Sequence, residues 1–257
     1  MLVDWFWRRP GAFRRLANFW PPLFFSGIAL TEIAKDWRFC RCKLKNWPGT
    51  RNFNGTQFGG SLFAMTDPVY SIMLKGNLGN RYYVWDKEAR IDFVKPGVGS
   101  VFVESSISDE LLRDVLEQTA DGEKFFPQIV NVVYDKKGNV VAVVRRKLYV
   151  RLKRVFRPDP EKARARAPRE NLAKSGERTK VYVDERACGR LTEEQRKKFG
   201  VEEAYRRVPF LADEKKAQDG EPAATASKPT ADAGGARMDV SGGERDCDRV
   251  GAGLERI

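Results

Sequence analysis

Few groups in this 257-residue chain can do chemistry, because it contains no histidine. That absence removes Ser-His and Cys-His triads and any His-ligated zinc. The four cysteines, Cys40, Cys42, Cys188 and Cys247, form neither a CxxC knuckle nor a disulfide framework, so no metal is expected. One stretch stands out, NGTQFGGSLFAMTDP, from Asn54 to Pro68. A loop runs into Gly59-Gly60, an apolar helical run follows, and it stops at Asp67 bonded to Pro68. A helix that begins at a glycine pair offers exposed N–H groups and the positive end of its dipole. A carboxylate such as Asp67 can act as a general base or a nucleophile. Asp followed by Pro is equally the pairing expected where a helix restarts, at N-cap and N1. Cap and catalyst are both open for Asp67, and the roles are compatible.

The surrounding elements must position these groups. Phe13, Leu16, Ala17 and Trp20 recur at helical spacing, which predicts a short amphipathic helix over 11–20, ended by Pro21-Pro22. Strands are expected near 26–34 and 37–45, the second placing Cys40, Cys42 and Leu44 on one face as small core residues. The segment 59–75 is too long and too uniformly apolar for a strand and is read as the main helix. Strands follow in YYVWDKEARIDFVKP and SVFVESSIS, then a helix in DELLRDVLEQTADGE. QIVNVVYD and VVAVVRRKLYVRL flank KKGN, a hairpin turn signal. The whole is an α+β layer, about six mostly antiparallel strands wrapped on one long apolar helix.

Composition divides the chain near residue 156. Before it lie nearly all the aromatics; after it the sequence is charged and rich in Ala, Gly and Pro. Residues 157–257 are therefore read as a largely disordered tail with at most a local helix near TEEQRKKFGVEEAYRR. The net charge of +12 fits acidic partners or simple solubility, yet no zinc finger or RNP-like aromatic motif supports specific nucleic-acid binding. Asn18 and Pro21-Pro22 interrupt the apolar stretch near the N-terminus, so neither a signal peptide nor a membrane span is expected. A cytoplasmic protein is the expectation.

The loop, the glycine pair, the apolar helix and the aspartate together resemble the hotdog-fold thioesterases. Similarity is greatest to the phenylacetyl-CoA type, where HGG precedes xIxxLAD. The register here reads Phe58, Gly59, Gly60, Leu62, Met65 and Asp67. IDFVKPGVGSVFVE, from Ile91 to Glu104, is similar to that family's strand-turn-strand. The whole pattern resembles a bacterial hotdog branch over residues 12–152 and leaves the tail aside. The family's histidine position is Phe58, which argues against a hotdog dehydratase and leaves hydrolysis driven by a carboxylate.

The resemblance implies an acyl-CoA thioesterase without a cofactor, coenzyme A entering as part of the substrate. The Gly60 N–H would stabilise the oxyanion, Gly59 would shape the turn, and Asp67 would activate water or attack directly. Asn54 would bond the substrate carbonyl or a water, although an Asn-Gly turn accounts for it as well. Gly55, Thr56, Gln57, Phe58 and Phe63 would line the substrate site with Tyr70 and Phe53, and Lys95 or Arg145–Lys147 would meet the coenzyme A phosphates. Asp86, Glu88, Arg90 and Asp92 alternate as a solvated strand face would. Ser61 and Thr66 read as helix-surface residues. On one continuous helix, seven residues separate Gly60 from Asp67 by roughly 10 Å, too far to serve one carbonyl. The resemblance then implies a composite site in a homodimer or tetramer, with Gly60 of one subunit facing Asp67 of another. The rival reading is a catalytically inactive hotdog protein that binds an acyl ligand or serves assembly.

Overall fold

Prolines open two short helices at the N-terminal end of the chain. In the computed structural model, which describes residues 7, 9–166, 177–184, 186 and 189–201, Pro10 begins α1 (Pro10–Ala17) and Pro21 begins α2 (Pro21–Phe25). At the first helical position the missing proline N–H costs nothing. Pro21-Pro22, expected only to end one helix, thus also begin the next. Cys188, Cys247 and the tail from residue 202 onward lie outside the described residues.

The chain continues through β1 (Ile28–Ile33), β2 (Phe39–Leu44), α3 (Gly59–Ala64), α4 (Asp67–Leu78), β3 (Tyr82–Phe93) and β4 (Val101–Ser106). It ends in α5 (Asp109–Gln118), β5 (Phe126–Asp135), β6 (Val140–Leu152), α6 (Pro160–Arg166), β7 (Thr179–Val183) and α7 (Glu193–Lys198). Six strands form an antiparallel sheet in the order β1-β2-β4-β5-β6-β3. The expected main helix is two helices, with a break at Met65-Thr66.

Helix α4 is the axis of the core. Val69, Tyr70, Met73 and Leu74 are buried on it and pack with Leu30, Cys42, Leu44, Val84, Val103, Leu148 and Val150 from the strands. An antiparallel sheet wrapped around a central helix is the hotdog arrangement, as the resemblance implied. Trp37 locks this helix to the chain's start: its indole N–H donates to the Trp7 carbonyl at 2.8 Å, and Asn77 on α4 donates to its carbonyl at 3.2 Å. Trp37 holds a left-handed φ of 60°, and its ring lies over Gly76 of α4.

A seventh strand comes from within the segment that composition assigned to the tail. β7 pairs parallel to the first half of β5, from Phe126↔Thr179 to Val130↔Val183, while β4 pairs with the second half. Asp184 sits where the two partners of β5 meet. Its carboxylate accepts from the Ser106 N–H at 2.5 Å, the Ser106 hydroxyl at 2.8 Å and the Tyr70 hydroxyl at 3.1 Å. Beyond β7, Leu191, Phe199 and Val201 cover Val130, Val132, Val140 and Val143 on the outer face of the sheet. This second cluster explains why β5 and β6 carry near-continuous valine runs, the pattern of strands buried on both faces.

The Trp37 contact yields a stability test. Alanine is the better helix former, but a Cβ at Gly76 would overlap Trp37 at Cγ, Cδ2 and Cβ, atoms close to the Trp37 backbone with little room to yield. Gly76→Ala is therefore expected to destabilise the protein by about 1–3 kcal/mol, as overpacking does. Chemical denaturation measures it; a stabilised variant contradicts the contact.

Candidate functional site

The break in the helix has a local cause. Pro68 has no N–H and its ring crowds the carbonyl four residues back, so a helix entering from Gly59 cannot pass through it. Helix α3 closes with tightened bonds, the Thr66 N–H donating to Phe63 O at 3.2 Å and the Thr66 hydroxyl to the same oxygen at 2.8 Å. Asp67 is then the first residue of α4, with Thr66 at its N-cap position. The helix does restart at TDP, but one residue off the expected register: Thr66, not Asp67, stands at the N-cap, and Pro68 is the second helical residue.

Arg146 of β6 enters this break from the sheet. Its position shares the inward register with Val144, Leu148 and Val150, and its side chain is only 3 % exposed. The guanidinium Nη2 donates to Phe63 O at 2.9 Å and to the Thr66 hydroxyl at 2.8 Å, and Nε donates to that hydroxyl at 3.2 Å. Nη1 donates to Asp67 Oδ1 at 3.1 Å and, in a very short contact, to Asp86 Oδ2. The Phe63 ring lies 4.8 Å from the guanidinium carbon, which adds a cation–π contact. One cation thus joins β6, β3, the end of α3 and the start of α4.

The two carboxylates on Arg146 differ in environment. Asp67 is 63 % exposed, whereas Asp86 is 18 % exposed and takes a weak bond from Ser71 at 3.4 Å. Burial raises the Asp86 carboxyl to about 6; the charge of Asp67 adds to the effect and Arg146 opposes it. Asp67 is therefore a water-accessible carboxylate fixed at a helix start by a buried cation. Such a group can hold a water or meet an electrophile. Among the described residues no cluster of His, Cys, Asp or Glu has the makings of a metal site.

The other candidates are dispersed. Asn52 organises the loop before α3: its side-chain oxygen accepts from the Asn54 and Thr56 N–H groups at 3.0 and 3.1 Å, and its amide donates to Thr56 Oγ1 at 2.9 Å. Gly55 turns this loop with φ 75°, and the Asn54 side chain is exposed at its tip, as an ordinary Asn-Gly turn would have it. Gln57 is buried and spans two strands' ends, donating to Lys45 O at 3.1 Å and Gly99 O at 2.7 Å. At the start of α3 the Phe58 ring lies against Gly60 and the Phe93 ring against Gly59. Both rings are exposed.

Several of the expected site residues have partners within the chain. Lys95 pairs with Asp135 at 2.9 Å, Arg145 with Asp92 at 3.0 Å and Lys147 with Glu88 and Glu177, so these cations do not stand as an open phosphate cluster. Phe53 is fully exposed, Phe63 sits under Arg146, and Tyr70 is buried with its hydroxyl bonded to Asp184 and Asn131. These aromatics do not form one tunnel. Ser61 and Thr66 are buried, and Asp86 is half-buried where a solvated face was expected. Gly60 and Asp67 lie on different helices, and Arg146 ties Asp67 to the end of α3 opposite Gly60.

Arg146 and Asp86 are the residues that sequence reasoning missed. A signal was present. Tyr82, Val84 and Asp86 alternate inward along β3, as Val144, Arg146 and Leu148 do along β6. An acid and a base in matching core registers of two strands are a buried pair.

A family model described as Domain of unknown function (DUF4442) matches residues 10–150. No curated protein matches the chain. Similar solved structures include a "probable thioesterase" of Pseudomonas aeruginosa, at 20% identity and TM-score 0.48 over 55% of this chain and 93% of that one. The PaaI protein of the E. coli phenylacetic acid degradation operon is similar at 15% identity and TM-score 0.40, over 57% of this chain and 94% of its own. A thioesterase of Haemophilus influenzae is similar at 12% identity and TM-score 0.41, over 55% and 88% of the two chains.

The titration of Asp86 is testable through stability. Its folded pKa, about 6, lies above the ordinary value of 3.8. Its contribution to stability is therefore full below about pH 4 and is lost as pH rises through about 6. The stability of the wild type relative to Asp86→Asn is expected to fall by up to about 3 kcal/mol between pH 4 and 7. Urea unfolding across that range measures it, and a difference independent of pH contradicts the assignment.

Proposed function

The chain belongs to the DUF4442 domain family, and we propose that its hotdog core hydrolyses an acyl thioester with Asp67 as general base. The observation that carries this reading is the contrast at Arg146. The cation is buried, yet one of its two carboxylate partners is left facing solvent. A carboxylate needed only to neutralise Arg146 would be better placed inside, where Asp86 already stands. Asp67 instead keeps one oxygen on the guanidinium and the other free for a water molecule. The anchored carboxylate takes the proton as that water attacks the carbonyl carbon, and the thiolate of the carrier leaves.

The developing oxyanion needs a donor that Asp67's own helix does not supply. The start of α3 offers the Gly60 N–H, with no Cβ to block approach. Within one chain Gly60 lies beyond the far end of α3 from Asp67. A second copy is the natural source, which makes the working unit a homodimer with two composite sites. β3 supports that assembly, for this long strand is one of the two edges of the sheet, β1 being the other. The exposed rings of Phe58 and Phe93 at the glycine turn would then be covered by the partner. Coenzyme A is the proposed carrier on the resemblance of the glycine-aspartate segment.

A second reading is favoured by one feature. Phe58 occupies the position of the family's histidine and lies across Gly60. If that ring keeps substrate from the amide, the protein binds an acyl ligand without turnover. Hydrolysis of an acyl-CoA panel by the wild type and Asp67→Ala separates the readings. Catalysis by Asp67 is expected to make the variant slower by about a hundredfold or more. An active wild type matched by its variant refutes the assignment, and a wild type that binds acyl-CoA without hydrolysis selects the second reading.

A further inference from the structure

The N-terminal helices carry an apolar surface that neither the core nor the proposed reaction uses. Leu16 at the end of α1, Phe19 and Trp20 in the turn after it, and Phe24 and Phe25 at the end of α2 are exposed, Phe19 at 74% and Phe25 at 72%, while Leu23 between them is buried. The Phe24 and Phe25 rings meet edge to face at 5.4 Å. Behind this surface is an apolar cavity of about 390 Å³, bounded by Phe13, Leu16, Trp20, Leu23 and Ile72 of α4, with Trp7. That volume lies in the range of small-molecule sites, roughly 300–1,000 Å³.

Charge identifies the occupant. From Arg9 to Thr31 the sequence has no Asp or Glu, and Arg14 and Arg15 lie in the last turn of α1, beside Leu16. Arg14 donates to Thr31 O at 3.3 Å, which sets its guanidinium beside β1, and Arg15 is exposed on α1. Exposed Trp and Phe next to arginines suit the boundary between acyl chains and anionic headgroups. A second copy docked here about a two-fold axis would add a second set of the same arginines and bring no opposite charge from this segment to the contact. No helix among the described residues is long and apolar enough to cross a membrane, so the contact would be interfacial.

We propose that α1 and α2 dock the protein on an anionic phospholipid bilayer, with Phe19, Trp20, Phe24 and Phe25 among the acyl chains and one lipid tail entering the cavity behind them. The arginines meet the phosphates, and the aromatic rim lies below them. The proposal is independent of the thioesterase reading, since it uses none of the residues around Arg146.

Sedimentation of the full chain with vesicles tests it, using phosphatidylcholine alone and phosphatidylcholine mixed with phosphatidylglycerol. The wild type is expected on the mixed vesicles, with a blue shift of tryptophan emission and release at high salt. Phe19→Ser/Phe24→Ser/Phe25→Ser is expected to bind at least about tenfold more weakly. Arg14→Gln/Arg15→Gln is expected to remove the preference for phosphatidylglycerol. If the triple variant fails to fold, Phe25→Ser alone carries the test, with a smaller loss. A wild type that stays in the supernatant with both vesicles overturns the proposal, and so does a folded aromatic variant that binds as the wild type does. Dissociation of a wild-type dimer by these substitutions, without vesicle binding, assigns the face to a second copy and also overturns it.

Discussion

A guanidinium taken out of water must be answered at its N–H groups, and the answers to Arg146 organise the centre of this molecule. Leaving such a cation without its partners would cost about 3–5 kcal/mol. The chain supplies a carbonyl and a hydroxyl from the end of α3, a carboxylate from the start of α4 and another from β3. The break leaves the Phe63 carbonyl, which also takes the Thr66 N–H, and the Thr66 hydroxyl turned toward the guanidinium. The proline that breaks the helix and the arginine that fills the break are therefore two halves of one arrangement.

That arrangement decides what Asp67 can be. Held by Arg146, it does not wander, and as the first residue of α4 it is also well placed for the helix dipole. In the proposed reaction a structural role and a catalytic one coexist in the same carboxylate. Asp86 carries the burial, while Asp67 keeps its access to water. In the proposed reaction the remaining need, an amide at the oxyanion, falls to the glycine turn of another subunit.

The sequence revealed the central features unevenly. The glycine turn, the flanking strands and the antiparallel hotdog architecture were readable from period, punctuation and the resemblance in FGGSLFAMTD. Arg146 was not, because RRK on paper looks like a basic surface triplet. Only the register that places Val144, Arg146 and Leu148 on one face turns its middle residue inward. β7 was missed for a different reason. TKVYV is short, and its stability is not local: Tyr182 is buried and bonds Asp114 on α5 at 2.7 Å. The valine runs of β5 and β6 signalled a second covered face, but nothing local to TKVYV, Leu191 or Phe199 identified them as the cover. Composition sees the charge of that region, whereas the fold uses a few spaced apolar residues within it.

The composite site is the central functional claim, and subunit mixing tests it most directly. One variant, Asp67→Asn, removes the base. The other, Gly60→Pro, removes the amide donor in the first helical turn, where proline is tolerated, and its Cβ meets the exposed Phe58 side chain. Each is expected to be inactive alone toward an acyl-CoA that the wild type hydrolyses. After exchange of subunits, half of the dimers would be mixed and each would hold one intact site, restoring about a quarter of the wild-type rate. A mixture that forms mixed dimers yet remains inactive contradicts a site shared between two chains.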